Sequence, residues 1–188
     1  MVEETLRRFA GLDSLVLCAG VQHVQPLHDF PLEQWDRLNN VMLRGSFLAV
    51  KAAWEPLCQS GRGRIVVIAS VSSFVAEPFK AAYAAAKHGV LGLVKVAALE
   101  GGRHGLCVNA VAPGLMMTPM IQNQLEEQER LTGKKRSEVL EDWVSRQAVK
   151  RPVETSEVAR MVAFLASDDS SGITGTCIPV DLGLLAAE

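Results

Sequence analysis

Arg64-Ile65-Val66-Val67-Ile68-Ala69-Ser70, with Tyr83-Ala84-Ala85-Ala86-Lys87 opening thirteen residues after that serine, decides how this chain folds. The first stretch is a continuous apolar run rich in β-branched residues, set off by Gly61 and Gly63, which predicts a strand buried on both faces. A loop containing Pro78 follows. The second stretch opens a helix spanning roughly Ala81–His104, where Ala82, Ala84, Ala85, Ala86, Gly89 and Gly92 let another helix approach closely. Gly105 is placed to stop it.

The same alternation extends in both directions. Upstream, Leu15-Val16-Leu17-Cys18-Ala19 is a short apolar run ended by Gly20 and predicts another buried strand. Residues 31–58 then read as one helix, with Pro31 in its first turn and Trp35, Leu38, Met42 and Leu43 at helical spacing. Downstream, Cys107–Ala112 predicts a third strand ended by Pro113-Gly114. Residues 120–148 hold one or two amphipathic helices separated at Thr132-Gly133. Thr155 or Ser156 is expected to cap a helix with Val158, Met161, Val162 and Leu165 on one face, and Thr176–Asp181 predicts a last strand. Strands alternating with helices predict an α/β fold: one domain over residues 1–188, a parallel sheet covered by helices on both faces, with right-handed crossovers.

Bulk properties bound the function. Hydrophobic residues make up 48% and charged residues 21% of the 188 residues, which suits a globular chain. A net charge of -2 supports neither a nucleic-acid partner nor an anionic membrane surface. The amino terminus has acidic residues and no apolar core, so no signal peptide is expected; Lys95 interrupts the most apolar stretch, so no bilayer span is expected either. Cys18, Cys58, Cys107 and Cys177 are far apart, which predicts reduced thiols in a cytoplasmic protein, without disulfides or zinc. His23, His28, His88 and His104 share no metal-ligand spacing, so no metal is expected.

In a sheet of this kind ligands bind beyond the carboxyl ends of the strands. Ser70 stands at such an end, and Tyr83 and Lys87 share a face of the next helix at i, i+4 spacing. A free tyrosine ionises near about pH 10. A neighbouring cation favours the phenolate, so Lys87 is expected to tune Tyr83 for proton exchange with a carbinol oxygen, which Ser70 would hold. The Y-x-x-x-K spacing alone is weak. The ensemble of Ser70, Tyr83, Lys87, the Asn109–Gly114 strand end and Thr118-Pro119 is specific.

Over essentially its whole length the chain resembles the short-chain dehydrogenase/reductase family, a Rossmann-like doubly wound fold. The resemblance implies Ser70, Tyr83 and Lys87 as catalytic residues. It implies cofactor contacts from Ala19, Gly20, Tyr83, Lys87, Pro113, Gly114, Met116 and Thr118, with Met116 and Met117 expected on the nicotinamide side of the cleft. Asp181 and Gly183 are similar to the family's closing segment. The cofactor implied is NAD or NADP, with NAD favoured. Within the family the likeness is to bacterial-type 3-hydroxybutyrate dehydrogenases, through Ala19–Val24, Tyr83–Val90, Thr118-Pro119 and the lid-like helices of 120–148. It implies that Gln22, Lys80 and Gln124, together with Ser70 and Tyr83, contact a small hydroxy acid or alcohol, and that the chain forms a homodimer or homotetramer.

Departures from the family pattern are equally specific. No G-x-x-x-G-x-G lies near the start, which leads to the expectation that the first βαβα portion is lacking: two units on the order of 30 residues each. Leu17-Cys18 replaces two amides, and Met42 stands where an asparagine is expected. A straight helix turns about 100° per residue, so Asn39 and not Asn40 would share the face of Met42. Ser72, Asn123 and Leu184 stand where the hydroxybutyrate enzymes are expected to have histidine, lysine and tryptophan. Two readings stay open: an oxidoreductase acting on a secondary alcohol or ketone, with 3-hydroxybutyrate/acetoacetate or another hydroxy compound as substrate, and an inactive chain with a structural or regulatory dimerisation role. The strand at Leu15–Ala19 is expected to form an apolar sheet edge through which chains associate.

Overall fold

The structure, a computed structural model, describes residues 1–187. Four parallel strands form one sheet in the order of the sequence: β1 (Ser14–Leu17), β2 (Arg64–Ile68), β3 (Cys107–Pro113) and β4 (Cys177–Val180). Seven helices accompany them among the described residues: α1 (Val2–Phe9), α2 (Leu32–Asn39), α3 (Gly45–Gln59), α4 (Ala81–Gly101), α5 (Pro119–Thr132), α6 (Arg136–Ser145) and α7 (Thr155–Leu165). This is the expected Rossmann-like α/β architecture.

Alternation along the strands builds two cores. Ile65 is aligned with Leu15 and Val108, and these residues with Val67 and Ala110 pack against Val50, Ala53 and Leu57 of α3 and Val90, Val94 and Ala97 of α4. On the other face Val66 and Val111 meet Val158 and Leu165 of α7. Asn109 joins the later crossover to the sheet: its side-chain Nδ2 donates to the Ile173 carbonyl at 2.7 Å and its Oδ1 accepts from the Thr176 amide at 3.3 Å. β1 lies at the edge of the sheet, and Val16 there is exposed. Helix α4 with its following turn has the length and mean hydropathy of a bilayer span. It also carries buried Lys87 and packs Val90, Val94 and Ala97 into the core, as the central helix of a sheet protein does.

The predicted helix over 31–58 is instead two α-helices joined by a π turn, Asn40–Arg44. In that turn the Gly45 amide bonds to the Asn40 carbonyl, one residue further back than an α-helix allows, so the facing angles of a straight helix do not apply across it. Helix α7 is capped by Glu154 rather than Thr155 or Ser156, because the Glu157 carboxylate reaches back to accept from the Glu154 amide at 2.8 Å. The 120–148 region divides as expected at Gly133, which sits at φ 73°.

Gly105 closes α4 and its 3-10 turn at φ 72°, where an added Cβ would also lie 2.6 Å from the Gly61 carbonyl oxygen. Left-handed backbone and a backbone clash act together there. Gly105→Ala is expected to destabilise the protein by about 2 kcal/mol or more, read as a lower urea midpoint with unchanged slope. An unchanged midpoint would contradict the assigned turn.

Candidate active site

The carboxyl ends of β2 and β3 open into a cleft of about 360 Å³, walled by the loop after β2, by α4, and by α5 and α6. Ser70 lies just beyond β2 in extended backbone and caps a 3-10 turn, its Oγ accepting from the Ser72 amide at 3.1 Å. That acceptance leaves the Ser70 hydroxyl proton free to be donated elsewhere. Tyr83 and Lys87 stand one turn apart on α4, with the Lys87 Nζ 5.7 Å from the centre of the tyrosine ring. Lys87 is buried and donates to the Ile68 carbonyl at 2.6 Å, which ties α4 to the end of β2.

Burial dominates the ionisation of both groups. It holds Lys87 well below an ordinary lysine, to about 8. Burial also pushes the Tyr83 hydroxyl up; the Ser70 side chain opposes this, and Glu77 adds to it. The sequence leads to the expectation that Lys87 lowers Tyr83, and the site differs: desolvation is the largest influence, and Tyr83 is held as the neutral phenol near pH 7.

Ser70, Tyr83, Lys87, Gly20, Pro113, Gly114, Met116 and Thr118 all line this one cleft, as do Gln22, Lys80 and Gln124. Ala19 and Met117 are not among the lining residues, and Met117 is exposed. A Cβ on Gly114 would lie 2.9 Å from the Asp181 Cα, so the Pro113-Gly114 turn packs directly on the last segment of the chain. Asp181 in turn holds that segment by accepting from the amides of Gly183 at 3.0 Å and Leu185 at 2.9 Å. Thr118 caps α5, accepting from the Ile121 amide.

Met42 is buried with Leu38, Ala82 and Ala86, against the start of α4. Asn39 turns away and donates to the Trp35 carbonyl at 2.9 Å, and neither Asn39 nor Asn40 lines the cleft. Among the residues of the cleft wall that escaped sequence reasoning, four carry polar or aromatic side chains: Glu77, Trp143, Arg146 and Gln147. Glu77 had one signal, its position three before Lys80. The other three reach the cleft only through the way α6 and the loop after it fold back, which no local pattern announces. Among the described residues no cluster suited to a metal ion occurs.

Residues 1–185 match a family described as enoyl-(acyl carrier protein) reductase. A D-beta-hydroxybutyrate dehydrogenase from Rhizobium meliloti (strain 1021) is 43% identical over 180 residues, 95% of this chain and 70% of that protein. The chain belongs to the short-chain dehydrogenase/reductase family. Levodione reductase from Leifsonia aquatica is 36% identical over 187 residues, 99% of this chain and 69% of the relative. A crystal structure of levodione reductase superposes with a TM-score of 0.92 at 34% identity, covering 100% of this chain and 72% of that one. An actinorhodin polyketide ketoreductase variant crystallised with NADPH gives 0.92 at 32% identity, covering 97% and 71%. Membership makes this short-chain dehydrogenase/reductase an oxidoreductase, and the reading as an inactive structural chain is not favoured.

Proposed function

We propose that the protein transfers a hydride between a nicotinamide cofactor and the carbinol carbon of a small secondary alcohol, or the corresponding ketone. The observation that carries this is that Ser70, Tyr83 and Lys87 line a single cleft, with the Ser70 side chain bonded to the Tyr83 hydroxyl and the Lys87 Nζ 5.7 Å from the centre of the tyrosine ring. The nicotinamide supplies the hydride chemistry. Around it the chain's own groups suit the nicotinamide–ribose end: Lys87 uses one donor on Ile68 and keeps others, Thr118 keeps a hydroxyl proton, and Met116 and Gly114 offer an apolar, close-approach wall. NAD is favoured over NADP by resemblance.

In the reductive direction Ser70 donates to the substrate oxygen and Tyr83, neutral by burial, delivers the proton to it. In the oxidative direction Tyr83 receives that proton. Lys87 stabilises negative charge on the tyrosine oxygen as it develops. The hydroxybutyrate dehydrogenase at 43% identity makes acetoacetate and 3-hydroxybutyrate the first substrates to test. Exposed Phe47 and Leu48 on α3 and Val96 and Leu99 on α4 support self-association into dimers or tetramers through these helices. The four free cysteines support a cytoplasmic setting.

The test follows nicotinamide fluorescence for binding and nicotinamide absorbance for turnover, with NADH and NADPH in parallel and acetoacetate as acceptor. Binding of one nucleotide and its oxidation by a small ketone are expected. Absence of nucleotide binding together with absence of turnover would refute the assignment.

A further inference from the structure

The cleft has a neighbour. Between α5, α6 and the loop before α4 lies a second cavity of about 150 Å³. Glu77, Trp143 and Arg146 line both spaces, so these three side chains form the partition between them. The far side is bounded by Phe79, by Val139 of α6, and by Gln128 of α5. Phe79 stands there at φ 70°, a left-handed backbone that bulky residues rarely adopt, and its carbonyl accepts from the Gln25 amide at 3.0 Å. Strain of this kind persists only where the surroundings fix it, and it concentrates at ligand sites.

The partition is held from both sides. Lys80, buried and bonded by its Nζ to the Glu77 carboxylate, lies 5.2 Å from the centre of the Trp143 ring. Arg146 is paired with Asp142 of α6 at 3.0 Å. Helix α6, which carries Trp143, is tied to α5 by Arg136, bonded to Glu126 at 2.9 Å and to Glu129 at 2.8 Å. Glu77 and Arg146 are flexible chains; the indole is the broad, stiff member of the three and supplies the bulk of the wall. Resemblance assigns Lys80 to the substrate carboxylate, and the indole stands against that same ammonium. A group attached beyond the carboxyl carbon therefore meets Trp143 before it meets the second cavity.

Resting on the proposed reading of the cleft, we propose that Trp143 sets the length of substrate accepted: it stops the cleft just past the carboxyl group, and the cavity behind it takes an ester or acyl tail once the indole is removed. The wild type is thereby confined to short β-keto and β-hydroxy acids and their smallest esters.

Methyl and n-hexyl acetoacetate carry the same reacting ketone and differ only in the tail, so their ratio isolates length. Trp143→Ala is expected to raise the hexyl-to-methyl ratio of kcat/KM at least about tenfold over wild type, the effect of about two newly buried methylenes. Trp143→Phe, which keeps an aromatic wall, is expected to stay close to the wild-type ratio. Should the alanine variant fail to fold, Trp143→Leu carries the same expectation. Gln128 lines the second cavity and not the cleft, so Gln128→Phe fills the new space from α5. Added to Trp143→Ala it is expected to cancel the gain for the hexyl ester and to leave the methyl ester as it was. A merely structural role for Trp143 would lower both esters together, and a general loosening of the cleft would be indifferent to Gln128→Phe. Calorimetric titration of Tyr83→Phe with the two esters, with and without Trp143→Ala, reads the same change of preference in binding. A gain for the hexyl ester there supports the proposal even if the wild type reduces neither ester, an outcome that would count only against the assigned reaction. A ratio unmoved by Trp143→Ala in both turnover and binding, or a gain that survives Gln128→Phe, overturns it.

Discussion

Tyr83→Phe is expected to lower kcat/KM for ketone reduction by about 10²–10⁴-fold, the range in which positioned proton donors contribute. The substitution removes one oxygen from a side chain that is packed against Met42 and Leu38, and the ring itself stays in place. Nucleotide binding and the urea midpoint are therefore expected to change little, which separates a chemical loss from a folding loss. The pH profile provides an independent check. Burial raises Tyr83, so the phenol stays protonated through neutral pH. Ketone reduction, which needs the proton, is expected to stay level through neutral pH and to fall only in alkaline solution. Alcohol oxidation, which needs a proton acceptor, is expected to rise with pH over the same range. In Tyr83→Phe the residual rate is expected to lose this dependence. Activity within fivefold of wild type would remove Tyr83 from the proton-transfer role, on a margin of about 1 kcal/mol.

The sequence made the sheet and the inner end of the cleft legible, and for different physical reasons. β2 and β3 are continuous apolar runs between glycines and prolines, and a strand buried on both faces has few other ways to be written. Ser70, Tyr83 and Lys87 could be assembled because the first sits at a strand end, where a parallel sheet binds its ligands, and the other two keep helical spacing on the helix that follows. The outer end was less legible. The π turn at Asn40–Arg44 has no residue signature of its own; it shows only in which carbonyl the Gly45 amide reaches. The Glu77–Lys80 pair was within reach by spacing. The contacts of Lys80 with Trp143, and of Gln147 with the cleft, depend on the chain returning from more than sixty positions away. Lys80 also shows what a residue type leaves unsaid: a lysine at a cleft mouth suggests an anion, and the structure adds the Glu77 carboxylate to which it is already bonded.

Lys87→Met is expected to cost activity and to increase stability, and the two effects have one cause. Lys87 is 4% exposed, and burial lowers it from 10.5 to about 8. Because the folded protein binds this proton less tightly than the unfolded chain does, the charged amine opposes folding. Below about pH 8 the penalty is present in full. It is relieved as pH rises from about 8 towards 10.5, so this residue makes the wild type more stable with increasing pH across that window. A displacement of this size corresponds to about 3 kcal/mol at pH 7. Methionine removes the charge with a similar volume, and forfeits the bond to the Ile68 carbonyl, worth about 1–2 kcal/mol. A net gain of about 1–2 kcal/mol is left at pH 7, shrinking and then reversing as the wild-type amine deprotonates. Urea titrations of both proteins at neutral and alkaline pH read this directly. Turnover is expected to fall by about 10²-fold or more, because the cation 5.7 Å from the centre of the Tyr83 ring is lost at the moment negative charge develops on that side chain. A variant that is both inactive and less stable at pH 7 would mean that the Ile68 bond, and not the buried charge, governs the energetics of Lys87. A variant that is more stable and inactive would mark Lys87 as a group kept at the expense of the fold for the chemistry of the cleft.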